Sequence, residues 1–442
     1  MTAMTAPRAL EIRPLERDEP QSTFDALARL LADAYPIMRL RTAEELAEHA
    51  ARLHADAHLP QTRWVVAERD DTLAGAMRLY DYTMNVRGRD ALAGGVGSVG
   101  VARSHKRQGI ARALIAWYLE HYRERGAPFA ILHPFRFDFY RALGFGYGTP
   151  VHRYRFAPAT LRDDGARGTI RELGARDADA VIACYERVRA TTNGLAAFQR
   201  WRLERLLDDA ALRYVAVEDG GEIRAFMQTG TVTPDDDLAR GRDELLVRDV
   251  IAEDAPYRAA LFRYLRSQQD QFARVMVESQ DGALYLGSTD PRDGSDESVA
   301  PPTGHRIART GQGMMYRILD MESAFAHLPA PSSPFTLHVT VDDPFFAPTN
   351  GTWTFRFAPG GVSHDGSPIG HEPFANARIT GEPPADATLR IGIADLSSIV
   401  VGSLRLRDIV RNGLAAVEPR AMTDRVDAAF LADEPPVCIT RF

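Results

Sequence analysis

Cysteine is almost missing from these 442 residues: Cys184 and Cys438 are the only two, and neither sits in a CxxC or Cys/His spacing. That excludes a disulfide framework and a thiolate zinc site, fits a reducing cytoplasm, and leaves no metal expected. Long apolar runs are missing as well, and the opening MTAMTAPRAL has no hydrophobic core of the signal type. Neither a membrane span nor a secretory leader is expected. Positive charge is not in excess either. With 53 Lys and Arg against 60 Asp and Glu the net charge is −7, which removes the electrostatic case for nucleic acid or an anionic membrane as partner. What remains is ordinary soluble-protein composition, 45% apolar and 26% charged, on a chain long enough for two or three domains.

The distinctive chemistry is local. Residues 96–101 read as the end of an apolar strand. A basic turn follows, Ser104-His105-Lys106-Arg107-Gln108-Gly109, and opens into a helix with Ile110, Leu114, Ile115 and Tyr118 at helical spacing. A strand at 129–132 comes next, then an aromatic segment containing Tyr140, Phe145 and Tyr147. A helix start carries unpaired N–H groups and roughly half a positive charge from the dipole, so it attracts anions. Gly109 permits close approach to the backbone, and Lys106, Arg107 and Arg112 add full charges. The turn has no Gly-Lys-Ser/Thr and is not GxGxxG. Taken alone, it reads equally as a solvated basic helix start.

Around this stretch the expected order is a strand at 10–15, helices at 25–34 and 42–58, a strand at 64–68, an Asp70-Asp71 turn and a strand at 73–81. Thr42 and Glu45 form a capping box on the second helix. With 96–132 this makes a mixed α/β domain ending near residue 156. From Gly168 the order starts over: a strand at 169–173, helices at 178–189 and 196–208, and strands at 212–218 and 222–231 flanking Asp-Gly-Gly. A strand at 244–251, a helix at 257–272 and a strand at 273–278 complete it. The spacing predicts an internal duplication. Where the first copy has SHKRQGIARAL the second has AEDAPYRAAL. Glu253 and Asp254 replace the basic residues and no glycine is present, so the second copy is expected to have lost the anion site and to act as a scaffold. Residues 286–304 read as a polar, mobile loop. Beyond Arg317 the expected strands are 335–341, 352–357, 375–380 and 388–393, with helices at 397–401, 404–412 and 421–431 and a terminal strand at 437–442. The expected domains are 1–156, 157–320 and 321–442.

The strand SVGV, a turn of form (Arg/Gln/Lys)-x-x-Gly-x-(Gly/Ala), a helix, a strand and then FYRALGF together resemble the acetyl-CoA motif of GNAT N-acetyltransferases. The turn is Lys106-Arg107-Gln108-Gly109-Ile110-Ala111; lysine in first place departs from the usual Arg or Gln but keeps a donor. FYRALGFGYG at 139–148 resembles the segment after the fifth strand of that fold, where the donor's thiol end lies. One GNAT domain, a degenerate second one and a C-terminal α+β domain similar to sterol carrier protein folds make the whole chain resemble the Eis (enhanced intracellular survival) family. The resemblance implies direct transfer from acetyl-CoA to a primary amine in a ternary complex. The acceptor class it implies is an aminoglycoside, a polyamine or a lysine side chain. It also implies a homo-oligomer built as a trimer of dimers.

Carried over by position, Val99, Gly100 and Val101 would offer backbone groups to the pantetheine arm. Lys106, Arg107, Gln108, Gly109, Ala111 and Arg112 would line the pyrophosphate turn. Tyr140 is implied as the acid that protonates the departing thiolate; a phenol near ~10 and a thiol near ~8.5 are close enough for that transfer. From the residues alone Tyr140 reads as a core aromatic among Phe137, Phe139 and Phe145. The family's base is the chain's own terminal carboxylate, here that of Phe442, whose ordinary pKa near ~3.5 would rise on burial. His133 reads as a proton carrier beside the cleft or as a structural histidine before Pro134. Asp33 and Tyr35 fall in the segment that walls the acceptor site in this fold. Arg441 stands where some aminoglycoside-modifying members carry an acidic residue, and its charge would repel a polycation. The competing reading is a non-catalytic acyl-CoA or lipid carrier or sensor, although 335–442 shows no long apolar lining by periodicity.

Overall fold

The computed structural model describes residues 9–16, 18–57, 59–233, 243–295, 298–300, 304–364 and 385–440. The chain divides into two compact units, one holding the residues up to Gly148, Met314–Pro435 and Thr440, the other Thr149–Gly313 and Pro436–Ile439.

Unit one opens with β1 (Glu11–Pro14), α1 (Gln21–Ala34), α2 (Ala43–Asp56), β2 (Thr62–Arg69), β3 (Thr72–Val86) and β4 (Arg89–Val101). Then come α3 (Ile110–Glu124), β5 (Phe129–Leu132), a short α4 (Phe137–Arg141) and β6 (Gly146–Tyr147). The capping box starts α2 as expected: Thr42 accepts from the Glu45 N–H, and Glu45 from the Thr42 N–H. β2 is buried on both faces because its side chains alternate. Val65 and Ala67 join Ile110, Leu114, Ile115 and Tyr118 of α3. Trp64 and Val66 join Phe24, Leu27 and Leu31 of α1. The result is a sheet with helices on both faces.

Unit two contains β7 (Pro150–Phe156), β8 (Thr169–Leu173), α5 (Ala178–Arg189), α6 (Arg200–Leu207), β9 (Arg213–Asp219), β10 (Glu222–Val232) and β11 (Glu244–Ala252). It continues with α7 (Ala255–Ser267), β12 (Val275–Ser279), β13 (Ser298–Ala300), β14 (Gly304–His305) and β15 (Ala308–Gln312). Its large sheet runs β15-β7-β12-β11-β10-β9-β8, which repeats the strand order of unit one. The repeat extends to a shared irregularity. Ser98 (φ 50°) lies in β4 where two residues face Met77, and Asp249 (φ 51°) lies in β11 where two residues face Met227. In the polar stretch after 286, β13 pairs with β14 and Asp293 forms an ion pair with Arg306.

β7, expected to close the first domain, pairs instead with β12 and β15 in the sheet of unit two. The place beside β5 and β6 is filled by β16 (Met315–Ile318), whose four residues are all buried. Four residues with an arginine among them carry too little pattern to announce a central strand. The chain then forms α8 (Met321–Phe325), β17 (Phe335–Asp342), β18 (Gly351–Ala358), β19 (Gly361–His364), β20 (Ala387–Gly392), α9 (Ile393–Val401), α10 (Leu406–Arg411), β21 (Ala415–Glu418) and α11 (Thr423–Phe430). The sheet of this region runs β19-β18-β17-β20-β21. α9 is buried on every side, so it shows no amphipathic period and starts earlier than expected.

The strand expected at 375–380 lies outside the described residues. Residues 437–440 form no strand: the Val437 N–H donates to the Asn193 carbonyl at 2.8 Å and the Cys438 N–H to Gln280 Oε1 at 2.6 Å. A side chain and a loop, not a ladder, take up that backbone. Among the described residues no helix is long and apolar enough to cross a membrane, and no group of three His, Cys, Asp or Glu could hold a metal.

Candidate active site

β4 and β5 run parallel but pair only from Ala93–Val96 against Phe129–Leu132. Beyond Val96 the bulge turns β4 away and β5 ends. Among the described residues the backbone of 97–101 has no ladder partner on that side. Tyr118, fully buried, stitches the closed end of this wedge: its hydroxyl donates to the Gly94 carbonyl at 2.6 Å and accepts from the Ile131 N–H at 3.1 Å. Glycine is required at 94 because a Cβ there would lie 2.3 Å from the Tyr122 ring. An open strand edge of this kind can pair with an extended, amide-bearing ligand.

The turn leading into α3 follows the end of β4. Gly109 sits at φ 80°, and a Cβ on it would meet nothing within 4 Å. No side chain caps α3, so its first-turn N–H groups remain available to an anion. Lys106, the chain's single lysine, and Arg107 are exposed, with no ion-pair partner among the described residues. Gln108 is otherwise engaged: it accepts from Arg69 Nη1 at 2.6 Å and donates to the Ser104 carbonyl at 3.2 Å, which closes the turn. Ala111 is half-buried in the first helical turn. Arg112 lies over the Phe345 ring, 4.5 Å from its centroid. α7, the counterpart of α3, starts differently. Asp254 accepts from the Tyr257 N–H at 3.2 Å, so a carboxylate of the chain occupies what Gly109 leaves open.

Tyr140 sits in α4, 3% exposed, with Phe135, Phe139 and Phe145 packed edge-on against its ring. Burial, with Tyr35 adding to it, pushes its phenol above the ordinary tyrosine range. Its hydroxyl makes no hydrogen bond among the described residues. Tyr35 donates to the Val99 carbonyl at 2.9 Å, which fixes the bulge of β4 to the end of α1; burial, then Tyr80, pushes this phenol up to about 12. His133 follows β5, and its Nε2 lies 2.9 Å from the Thr440 carbonyl oxygen. A carbonyl only accepts, so that nitrogen carries the proton. Arg441 and Phe442 lie outside the described residues. Asp33 pairs with Arg103 at 3.1 Å on the surface, so its charge is already matched. A cavity of about 400 Å³ lined by Asp81, His121, Tyr122 and Arg125 lies at the other end of α3, away from the cationic turn.

FYRALGFGYG has a further role that its letters did not reveal. A Cβ on Gly144 (φ 83°) would land on the Arg317 guanidinium, and one on Gly146 would lie 2.0 Å from the Ala394 carbonyl oxygen of α9. Arg317 is wholly buried, pairs with Asp343 at 2.5 Å and donates to the Leu143 carbonyl. Arg141 pairs with Asp395 at 2.9 Å, and the Ser403 hydroxyl donates to the Tyr147 carbonyl at 2.6 Å. Arg87, in the turn between β3 and β4, donates to the carbonyls of Ile399, Val400, Phe430 and Leu431, the last turns of α9 and α11. Burial lowers its pKa to about 10. The elements around Tyr140 are thus held by residues far along the chain, which no local pattern could have signalled.

Residues 11–148 match the family described as the acetyltransferase (GNAT) domain, and residues 321–439 that of the sterol carrier protein domain. An uncharacterized N-acetyltransferase of Streptomyces coelicolor is 27% identical over 342 residues, 72% of this chain and 80% of that protein. Among solved structures, a GCN5-related N-acetyltransferase from Kribbella flavida aligns with TM-score 0.72 at 22% identity, over 98% of this chain and 99% of that one. Eis1 from Mycobacterium abscessus aligns with TM-score 0.72 at 20% identity, over 98% and 100%.

Proposed function

We propose that this chain, which carries a GNAT acetyltransferase domain and a sterol carrier protein domain in an Eis-like arrangement, transfers an acetyl group from acetyl-CoA to a primary amine in one ternary complex. The observation that carries this reading is the wedge between β4 and β5 beside an uncapped, glycine-started α3. Those residues fit the donor substrate. The pyrophosphate would meet the N–H groups at Gly109–Ala111 with Lys106 and Arg107 alongside, and the pantetheine amides would meet the main chain at Val99–Val101. Main-chain N–H groups of that stretch would polarise the thioester carbonyl.

In this reading the amine nitrogen attacks the thioester carbon; a C–N bond forms, the C–S bond breaks, and the departing thiolate takes the Tyr140 hydroxyl proton. The amine's own proton goes to a base, which we assign to the Phe442 carboxylate. Support for that assignment comes from Thr440, whose carbonyl meets His133 at the end of β5. A small-molecule amine or a peptide lysine would serve as acceptor, and Arg441 disfavours a polycation. A trimer of dimers, the assembly the family resemblance implies, belongs to the same proposal. The test is thiol release from acetyl-CoA with a panel of polyamines, aminoglycosides and lysine peptides. Amine-dependent release matched by N-acetylated product is expected; donor binding with no release on any amine would make the chain a carrier instead.

A further inference from the structure

The loop between β17 and β18, in the sterol carrier domain, is built around Asp343. Its carboxylate accepts from the N–H groups of Phe345 at 3.2 Å and Phe346 at 3.1 Å, from the Thr349 hydroxyl, and from Arg317. Its own N–H donates to Asn350 Oδ1 at 3.0 Å. Five hydrogen bonds at Asp343 hold this loop, and two guanidinium groups lie over the ring of its Phe345. Arg112, in the first turn of α3, lies 4.5 Å from the ring centroid, and the Arg317 guanidinium lies 5.9 Å from it. Arg317 in turn holds the Leu143 carbonyl. The N–H groups of Leu143 and Phe145 both donate to the Tyr140 carbonyl, each at 3.0 Å.

One ring from the C-terminal domain therefore touches the helix start proposed for the donor's phosphates. Through Arg317 it also touches the turn that carries the proposed acid. Packing alone does not call for this arrangement. A half-buried apolar side chain of any shape would cover the same surface, whereas a guanidinium over an aromatic ring makes use of the ring's face; Arg112 lies over Phe345 alone, and Arg317 over both Phe345 and, at 5.5 Å, Phe346.

We infer that Phe345 is a positioning residue, which sets Arg112 at the donor turn and, through Arg317, the α4 turn bearing Tyr140. The sterol carrier domain thereby fixes donor binding and acid placement together. This rests on the roles given above to Tyr140 and the α3 turn. Phe345→Leu keeps apolar bulk and loses the ring face; Phe345→Tyr keeps the face. Phe345→Leu is expected to raise the KM for acetyl-CoA and lower kcat, each by about threefold to tenfold, while Phe345→Tyr stays near wild type in both. Combined with Tyr140→Phe, the kcat loss of Phe345→Leu should vanish and its KM rise should persist. Wild-type constants in Phe345→Leu, or equal impairment in Phe345→Tyr, would overturn the inference. Failure of the parent reading looks different: Tyr140→Phe alone would keep wild-type kcat, and the KM rise of Phe345→Leu would then decide the Arg112 half alone.

Discussion

Lys106 carries the only side-chain amine in this protein and stands exposed beside Gly109. If the donor's phosphates lie along this turn, acetic anhydride should label Lys106 far more slowly when acetyl-CoA is saturating, as read by peptide mass spectrometry. Labelling at an unchanged rate would put the donor elsewhere. Tyr140 allows a second test at this scale. Burial holds its phenol above the ordinary range, so the proton it donates is present at every pH below about 10. The sign follows: kcat should show no Tyr140-dependent fall on the alkaline side until above that pH. Tyr140→Phe should lower kcat by about 10²–10⁴-fold with little change in acetyl-CoA affinity. An alkaline limb near 8 that disappears in Tyr140→Phe would contradict the assignment.

Glycines in three elements show how unevenly the structure was written in the residues. Gly109 is legible, because a basic turn opening a helix with apolar side chains at helical spacing leaves few readings, and α3 spans what that spacing predicts. Residues 95–100, GVGSVG, lie inside β4, in keeping with the strand end expected at 96–101. Glycine is needed there so that Tyr82 and Leu30 can approach positions 95 and 100. Gly144 and Gly146 read as part of a family motif, and only the fold shows them admitting Arg317 and α9. Steric contact predicts the consequence. Gly146→Ala should destabilise the protein by about 1–3 kcal/mol in denaturant unfolding, because its Cβ would meet main chain that cannot step aside. An unchanged midpoint would mean that α9 yields. β16 and the pairing of β7 stayed hidden for the complementary reason: a strand is placed in a sheet by partners that are distant in sequence, and four buried residues carry no period.

For the whole molecule, the C-terminal domain acts in two ways in this account. It braces α4 and β6 through Arg317, Asp395 and Ser403, and it leads the chain from α11 through residues 436–439 to Thr440 at His133. Removing Phe442 is expected to reduce turnover sharply while acetyl-CoA binding survives, compared by steady-state rate and equilibrium binding on the same preparation. Wild-type turnover after that deletion would exclude the terminal carboxylate as base. The two α/β units share strand order and bulge, and they differ at one helix start: no side chain caps α3 after Gly109, whereas Asp254 caps α7 by accepting from the Tyr257 N–H. Calorimetric titration of acetyl-CoA into the wild-type chain and into Gly109→Val tests that difference directly. One donor bound per chain and at least about tenfold weaker binding in the variant, whose β-branched side chain resists positive φ, are expected; two donors per chain, or wild-type affinity in Gly109→Val, would contradict the proposed donor site.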